Sequence, residues 1–410
     1  CGKKEPAAHI SWHPAGFCDT IFSEGVIHLK NRKLLMIPGP TPVVDSIRTE
    51  MGRDTIAFGD PDFVKDYKEV IDDLQSLFSC DGKTFVVAGT GTLAMETAIA
   101  NSLQKGDKML LVSNGFFGDR FIQIAERKGI KVELLQAEWG DAVTPVQIGK
   151  KLDEGGFKAV TVTHVDTSTG VIAPVKEIGE VVSKYDDVLY IVDGVCSVGG
   201  EAVDLKNCHI NVLFTGSQKA FGVAPGLFML WADEKALARR KSLGTIPEYY
   251  CDYENWIPIM DDPSKYFATP AVNLVWALKE SVRIMKEEGM DARYARHIRT
   301  AKAMQKAFEA IGFTILAKEE VRAHTLSNLL YPAGIDDAAY RTELAKQGVQ
   351  AAGGVGKYAG RMLRIGHMGN IDLHTCTATI SAMERALCAL GQDLQPGSGT
   401  GAFAKEWDAQ

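Results

Sequence analysis

Apolar and polar residues follow two periods along this chain. From Phe85 onward, short β-rich runs alternate with segments whose apolar residues return at helical spacing, the pattern of βαβ units around a mainly parallel sheet. Predicted strands cover 84–88, 109–113, 132–135, 159–164, 189–192, 212–215 and 227–231, with helices at 93–102, 119–128, 144–154, 175–184 and 234–241. After Asn273 the pattern changes to two long amphipathic helices, 274–288 and 292–311. A smaller α/β unit follows, with strands near 313–316, 327–331 and 362–365 and helices at 337–347 and 372–390.

This alternation predicts an α/β fold with a large seven-stranded domain and a smaller C-terminal α/β domain. At 410 residues and 46% hydrophobic content, the chain has material for two cores. The expected division is an N-terminal arm (1–45), a large domain (46–287), a small domain (288–394) and a flexible tail (395–410) rich in Gly and Ser.

Charge and cysteine usage narrow the partners. A net charge of −7 without a block of Lys and Arg argues against nucleic acid or an anionic membrane, leaving small molecules and other proteins. The 8 cysteines, Cys1, Cys18, Cys80, Cys196, Cys208, Cys251, Cys376 and Cys388, include no CxxC pair. They are expected to be reduced thiols in a cytoplasmic setting. No apolar stretch is long enough to span a bilayer, the first thirty residues lack a secretory core, and the last residues are not a peroxisomal address. Cys1 in place of an initiator Met leaves open that residues precede it.

Ligands of open α/β sheets bind beyond the carboxyl ends of the strands, and four such ends carry polar residues. Gly89-Thr90-Gly91-Thr92 joins a strand to a helix, where backbone amides and two hydroxyls can cradle a phosphate; Thr92 could instead be a helix cap. With Ala94 the loop also fits the looser dinucleotide fingerprint, so an NAD-binding dehydrogenase is the alternative from another class. Against it, the next strand ends in Ser113-Asn114-Gly115, with no acidic residue to hold a ribose.

Asp193 closes an apolar strand, where a carboxylate needs a cation or several donors to stay ionised. A protonated pyridine nitrogen would serve, and a helix cap or turn is the structural alternative. Lys219, in Ser217-Gln218-Lys219, sits past another strand, where partial burial makes an amine a usable nucleophile and base; a solvated surface charge is the alternative. Thr167-Ser168-Thr169-Gly170 is either a polar wall or a turn. Phosphate cradle, carboxylate and lysine in this order ask for a ligand with a phosphate, a basic ring nitrogen and a carbonyl, and pyridoxal 5′-phosphate has all three.

From about Leu34 to Leu390 the chain resembles the class V aminotransferases of fold type I, near the alanine:glyoxylate and serine:pyruvate group. The similarity runs through Pro38-Gly39-Pro40-Thr41, Gly89-Thr90-Gly91-Thr92, Asn114-Gly115-Phe116-Phe117-Gly118, Ser168-Thr169-Gly170, Val192-Asp193, Gly216-Ser217-Gln218-Lys219 and Leu363-Arg364-Ile365-Gly366. It implies that Lys219 carries the cofactor as a Schiff base and that Asp193 pairs with the ring nitrogen. Thr90, Gly91, Thr92 and Gln218 then contact the phosphate, and Thr167 lies near the ring hydroxyl. Phe117 stacks on the ring where related enzymes often have Trp. Arg364 is implied to bind the substrate α-carboxylate as a bidentate fork, and Gly39 lies beside the substrate. Tyr266 and Thr269 would reach the phosphate of a neighbouring subunit, which implies a homodimer.

Transamination between alanine or serine and glyoxylate or pyruvate is the activity so implied, with ureidoglycine, aminoethylphosphonate or pyridoxamine as other donors within the family. A cysteine desulfurase of the same fold would need a nucleophilic Cys on a small-domain loop, but Val349-Gln350-Ala351-Ala352-Gly353-Gly354-Val355 has none, and Cys376 falls on a predicted core helix. A non-catalytic cofactor-binding regulator lacks support, because no DNA-binding module flanks this domain.

Overall fold

Apolar runs that lack strict alternation need cover on both faces of a sheet, and the central sheet provides it. The computed structural model describes residues 33–409. Its main sheet holds β1 (Lys83–Gly89), β2 (Lys108–Ser113), β3 (Lys131–Gln136), β4 (Phe157–Thr163), β5 (Leu189–Asp193), β6 (Val212–Gly216) and β7 (Gly226–Ala232). Their order is β1-β7-β6-β5-β4-β2-β3, and β7 alone runs antiparallel to its neighbours. The inner strands β5 and β6 are buried at every position, whereas edge strand β3 is fully buried at none. All seven predicted strands are present within two residues of their expected bounds.

One long helix falls before the stretch in which alternation was read. Helix α1 (Pro61–Leu77) starts with Pro61 in its first turn and with Asp60 accepting from the Asp62 amide, and it buries Phe63, Tyr67, Val70, Ile71 and Leu74 on one stripe. Helix α2 (Gly91–Ser102) follows β1, and α3 (Phe116–Arg127) follows β2. The predicted pair of long helices is α4 (Val272–Glu288) and α5 (Met290–Ala310), which turn about Gly289 at φ +79°.

The smaller sheet has β8 (Thr314–Ile315), β9 (Leu326–Leu330), β10 (Ala352–Gly353) and β11 (Met362–Gly366), in the antiparallel order β8-β9-β11-β10. Helix α6 (Leu373–Ala389) packs with it through Cys376, Ile380 and Met383. Cys376 is therefore a core thiol, as its helical position predicts.

Apolar burial divides into one large cluster spanning Phe63 to Met285 and a second built from Met36 and residues Ala303 to Phe403. We propose the large and small domains on this division. Residues 1–32 of the expected arm, with Cys1 and Cys18, lie outside the described residues. The rest of the arm is integrated: Leu34–Leu35 pairs in parallel with Val349–Gln350, and Met36 is fully buried in the second cluster.

The tail corrects a sequence expectation. Helix α7 (Ser398–Asp408) occupies the stretch expected to be flexible, with Phe403 buried and the Trp407 carbonyl accepting from the Arg299 guanidinium. Its glycines and serines suggested flexibility, but Phe403 and Trp407, one turn apart, supply an apolar face. No helix among the described residues is long and apolar enough to cross a membrane.

Candidate active site

The carboxyl ends of β1, β2, β4, β5 and β6 open onto one recess. Thr90, Gly91, Thr92, Phe117, Arg120, Thr163, Thr167, Asp193, Cys196, Gln218 and Lys219 line it, at the strand ends where α/β sheets bind small ligands.

At the end of β1, the chain enters α2 through Thr90, whose extended backbone (φ −121°, ψ 169°) makes it the N-cap. No side chain caps this helix, so its first amides and positive dipole end remain available to an anion. The expected alternative of a Thr92 cap is therefore not what forms: the Thr92 hydroxyl oxygen accepts instead from Arg120 Nη1 at 3.0 Å. A Cβ at Gly91 would lie 2.8 Å from Val195 Cγ2, so only glycine lets the loop pack this closely on the β5 loop.

Asp193 ends β5 opposite Thr163 of β4 and is 5% exposed. Its Oδ1 accepts from the Val195 amide at 2.9 Å. Burial pushes the carboxyl up to about 7; the Asp166 carboxylate adds to the rise, while the Val195 amide, Lys219 and Arg120 oppose it. Among the described residues no cation forms an ion pair with this carboxyl, and Lys219 and Arg120 act on it only from farther off; a protonated ring nitrogen would provide a direct partner.

Lys219 follows β6. Its Nζ donates to the Pro38 carbonyl at 2.6 Å, and Thr41 Oγ1 donates to the Lys219 carbonyl at 2.6 Å, fixing both ends of the residue. Gly39 lies against this amine: a Cβ there would sit 2.5 Å from Lys219 Cδ and Nζ, in a backbone at φ +125°. Gly39 is thus beside the candidate nucleophile, where the resemblance puts substrate. Gln218 also lines the recess, and its buried Oε1 has no hydrogen-bond partner.

Helix α3 delivers Phe117 to the recess, and Asp166 sets the start of that helix. The Phe117 and Gly118 amides both donate to Asp166 Oδ2 at 3.0 Å, and the Phe116 amide donates to Ser168 Oγ at 2.8 Å. A carboxylate at a helix N-terminus satisfies amides that the helix cannot. Thr167 is buried, and its carbonyl faces the small domain, accepting from Asn328 Nδ2 at 3.2 Å.

Arg364, from β11, points toward the same carbonyl. Its Nε donates to the Gly353 carbonyl at 2.7 Å, and its Nη1 lies 3.5 Å from the Thr167 oxygen. Burial lowers its pKa from the ordinary arginine value, which is high enough that the cation persists. Arg364 forms no salt bridge to a carboxylate among the described residues. Tyr266 and Thr269 do not line the recess; Tyr266 is 61% exposed, stacks near Phe58 and shares a 3.3 Å hydrogen bond with Thr269.

These residues fit pyridoxal phosphate. An uncapped helix start suits a phosphate, a buried carboxyl near neutrality suits a ring cation, and an amine held in the recess suits an aldehyde. The unpartnered Gln218 Oε1 and Thr163 Oγ1 are further polar atoms with hydrogen-bonding capacity to spare. Sequence inspection missed Asp166, Arg120 and the buried thiol Cys196. The signal for Arg120 was its spacing of one helical turn from Phe117, which a solvated helix arginine shares.

Comparison with known proteins gives the same answer. The family model for aminotransferase class V matches residues 58–371. An uncharacterized aminotransferase of Methanocaldococcus jannaschii is 38% identical, covering 89% of this chain and 95% of that protein. Serine–glyoxylate aminotransferase of Hyphomicrobium methylovorum is 35% identical, covering 90% and 93%. The crystal structure of pyridoxamine–pyruvate aminotransferase from Mesorhizobium loti superimposes with a TM-score of 0.88 at 28% identity, covering 92% of this chain and 98% of that one. These matches set aside the dehydrogenase alternative, whose only support was the glycine spacing of one loop.

Proposed function

The chain belongs to the class V aminotransferases, with the type I fold and pyridoxal phosphate as cofactor, and on that premise we propose that it moves the amino group of alanine or serine to glyoxylate or pyruvate. The observation that carries this is Arg364, a half-buried guanidinium with no carboxylate partner among the described residues, facing the β4 loop beside the recess of Lys219 and Asp193. The 35% identity to a serine–glyoxylate aminotransferase supports serine as donor and glyoxylate as acceptor.

The residues take the following roles. Thr90, Gly91, Thr92 and Gln218 hold the phosphate, Phe117 covers the ring, and Thr167 borders it. Bound pyridoxal phosphate supplies an electron-poor ring that stabilises negative charge at the substrate Cα. Asp193 keeps the ring nitrogen protonated, because its own ionisation in a buried site is favoured only next to a cation. Lys219 Nζ would act as the base and acid that moves the proton at the substrate Cα. Arg364 fixes the α-carboxylate, and Gly39 leaves room at the amine. Tyr266 and Thr269, exposed on this chain, complete the phosphate site of a second copy in a homodimer. The protein works in the cytoplasm, in keeping with the free state of all six described cysteines.

A screen of amino donors against the full-length holoenzyme, following conversion of the cofactor to its amine form by absorbance, tests the donor. Alanine or serine should convert it fastest. If neither does, and ureidoglycine, aminoethylphosphonate or pyridoxamine does, the donor assignment fails.

A further inference from the structure

We propose that Arg120 is the cation that binds the cofactor phosphate, an assignment that rests on the pyridoxal phosphate site described above and adds to it a residue outside the phosphate loop. A phosphate monoester carries close to two negative charges near neutral pH. The recess must accept that charge beside the carboxyl of Asp193, with Asp166 behind the start of α3. Thr90, Gly91, Thr92 and Gln218 are all neutral. Among the residues lining the recess only Lys219 and Arg120 are cationic, and the Lys219 nitrogen would be engaged by the aldehyde rather than the phosphate.

The placement of Arg120 suits this role. It lies on α3 one turn beyond Phe117, and its guanidinium carbon stands 5.1 Å from the Phe117 ring centroid, so the aromatic face steadies it. From there Nη1 donates to the Thr92 hydroxyl oxygen at 3.0 Å. That bond occupies an acceptor position on the hydroxyl and leaves its hydrogen free to be donated to an anion. Arg120 forms no ion pair among the described residues, so most of its five N–H donors remain for a phosphate oxygen. The uncapped start of α2 lies at the same loop, so cation, hydroxyl and helix dipole converge on one point.

The test separates the phosphate from the ring. Full-length protein freed of cofactor, as wild type, R120M and R120K, is titrated with pyridoxal phosphate and with pyridoxal, which lacks the phosphate. A charge-assisted contact predicts that R120M loses roughly ten- to hundredfold in affinity for pyridoxal phosphate and less than about threefold for pyridoxal. R120K, which keeps the charge, should recover most of the difference. Equal losses for the two ligands in both variants, or no loss for pyridoxal phosphate, would overturn the assignment. Wild-type protein that binds neither ligand would overturn the cofactor site itself, and Arg120 with it.

Discussion

Replacing Asp193 by Asn isolates the cost of burying a carboxyl that waits for a cation. Burial raises this carboxyl from 3.8 to about 7, and each tenfold change in acidity is worth about 1.4 kcal/mol. The cofactor-free protein is therefore destabilised by about 4 kcal/mol above pH 7, an upper figure because a flexible empty site admits water. The folded carboxyl binds its proton more tightly than the unfolded one, so stability falls as pH rises from 3.8 through about 7. Roughly 2–3 kcal/mol of that loss, by the same linkage, falls between pH 5 and pH 8. D193N keeps an oxygen for the Val195 amide but cannot ionise. Thermal unfolding of the cofactor-free proteins at pH 5 and pH 8 should show wild type losing several degrees more than D193N. Burial keeps His164, His297 and His367 neutral in both folded proteins between pH 5 and pH 8, and they protonate only on unfolding, so their contributions cancel in the difference. Cofactor should restore wild type at pH 8 and bind D193N far more weakly. Equal pH dependence of the two melting curves would refute the argument that Asp193 is held ready for a ring cation.

Two further outcomes follow from contacts away from Asp193. R364Q should raise KM for both amino acid and keto acid and lower kcat/KM by the equivalent of about 1.5–3 kcal/mol, as expected for a lost charge-assisted contact, with cofactor absorbance unchanged; steady-state kinetics with an unaltered KM would remove Arg364 from the substrate site. F403A should cost about 3–5 kcal/mol, as for other buried aromatics, since Phe403 is 1% exposed; calorimetry showing an unchanged Tm would restore the tail to a loose end.

The fold was legible where burial is two-sided and regular. Strands β5 to β7 are nearly continuous apolar runs, and the predicted bounds fall within two residues of those observed. Helix α7 was misjudged because four residues of Gly and Ser in the span 396–401 precede and mask its two aromatics, and only docking on α5 gives Phe403 a surface to bury against. Helix α1 lies ahead of the first strand, where no alternation had yet established a period.

The site was legible to the extent that each residue ends its own strand. Thr90, Asp193 and Lys219 each follow a β-run, and their order along the chain already selected a ligand with three matching groups. Asp166 and Arg120 act through pairings that sequence order does not contain. Asp166 meets the amides of Phe117 and Gly118 because β2 and β4 are neighbours, which brings the loops after Ser113 and Thr163 together. Arg120 meets Thr92 because α2 and α3 present their first turns to one recess. Neither strand adjacency nor helix facing follows from periodicity, since β1 and β2 are consecutive in sequence yet lie four strands apart between them in the sheet. A charged residue in such a chain reads as solvated until the sheet order is known. The sheet order, once known, turns Arg120 from a surface helix residue into the one cation lining the recess that remains when Lys219 is engaged.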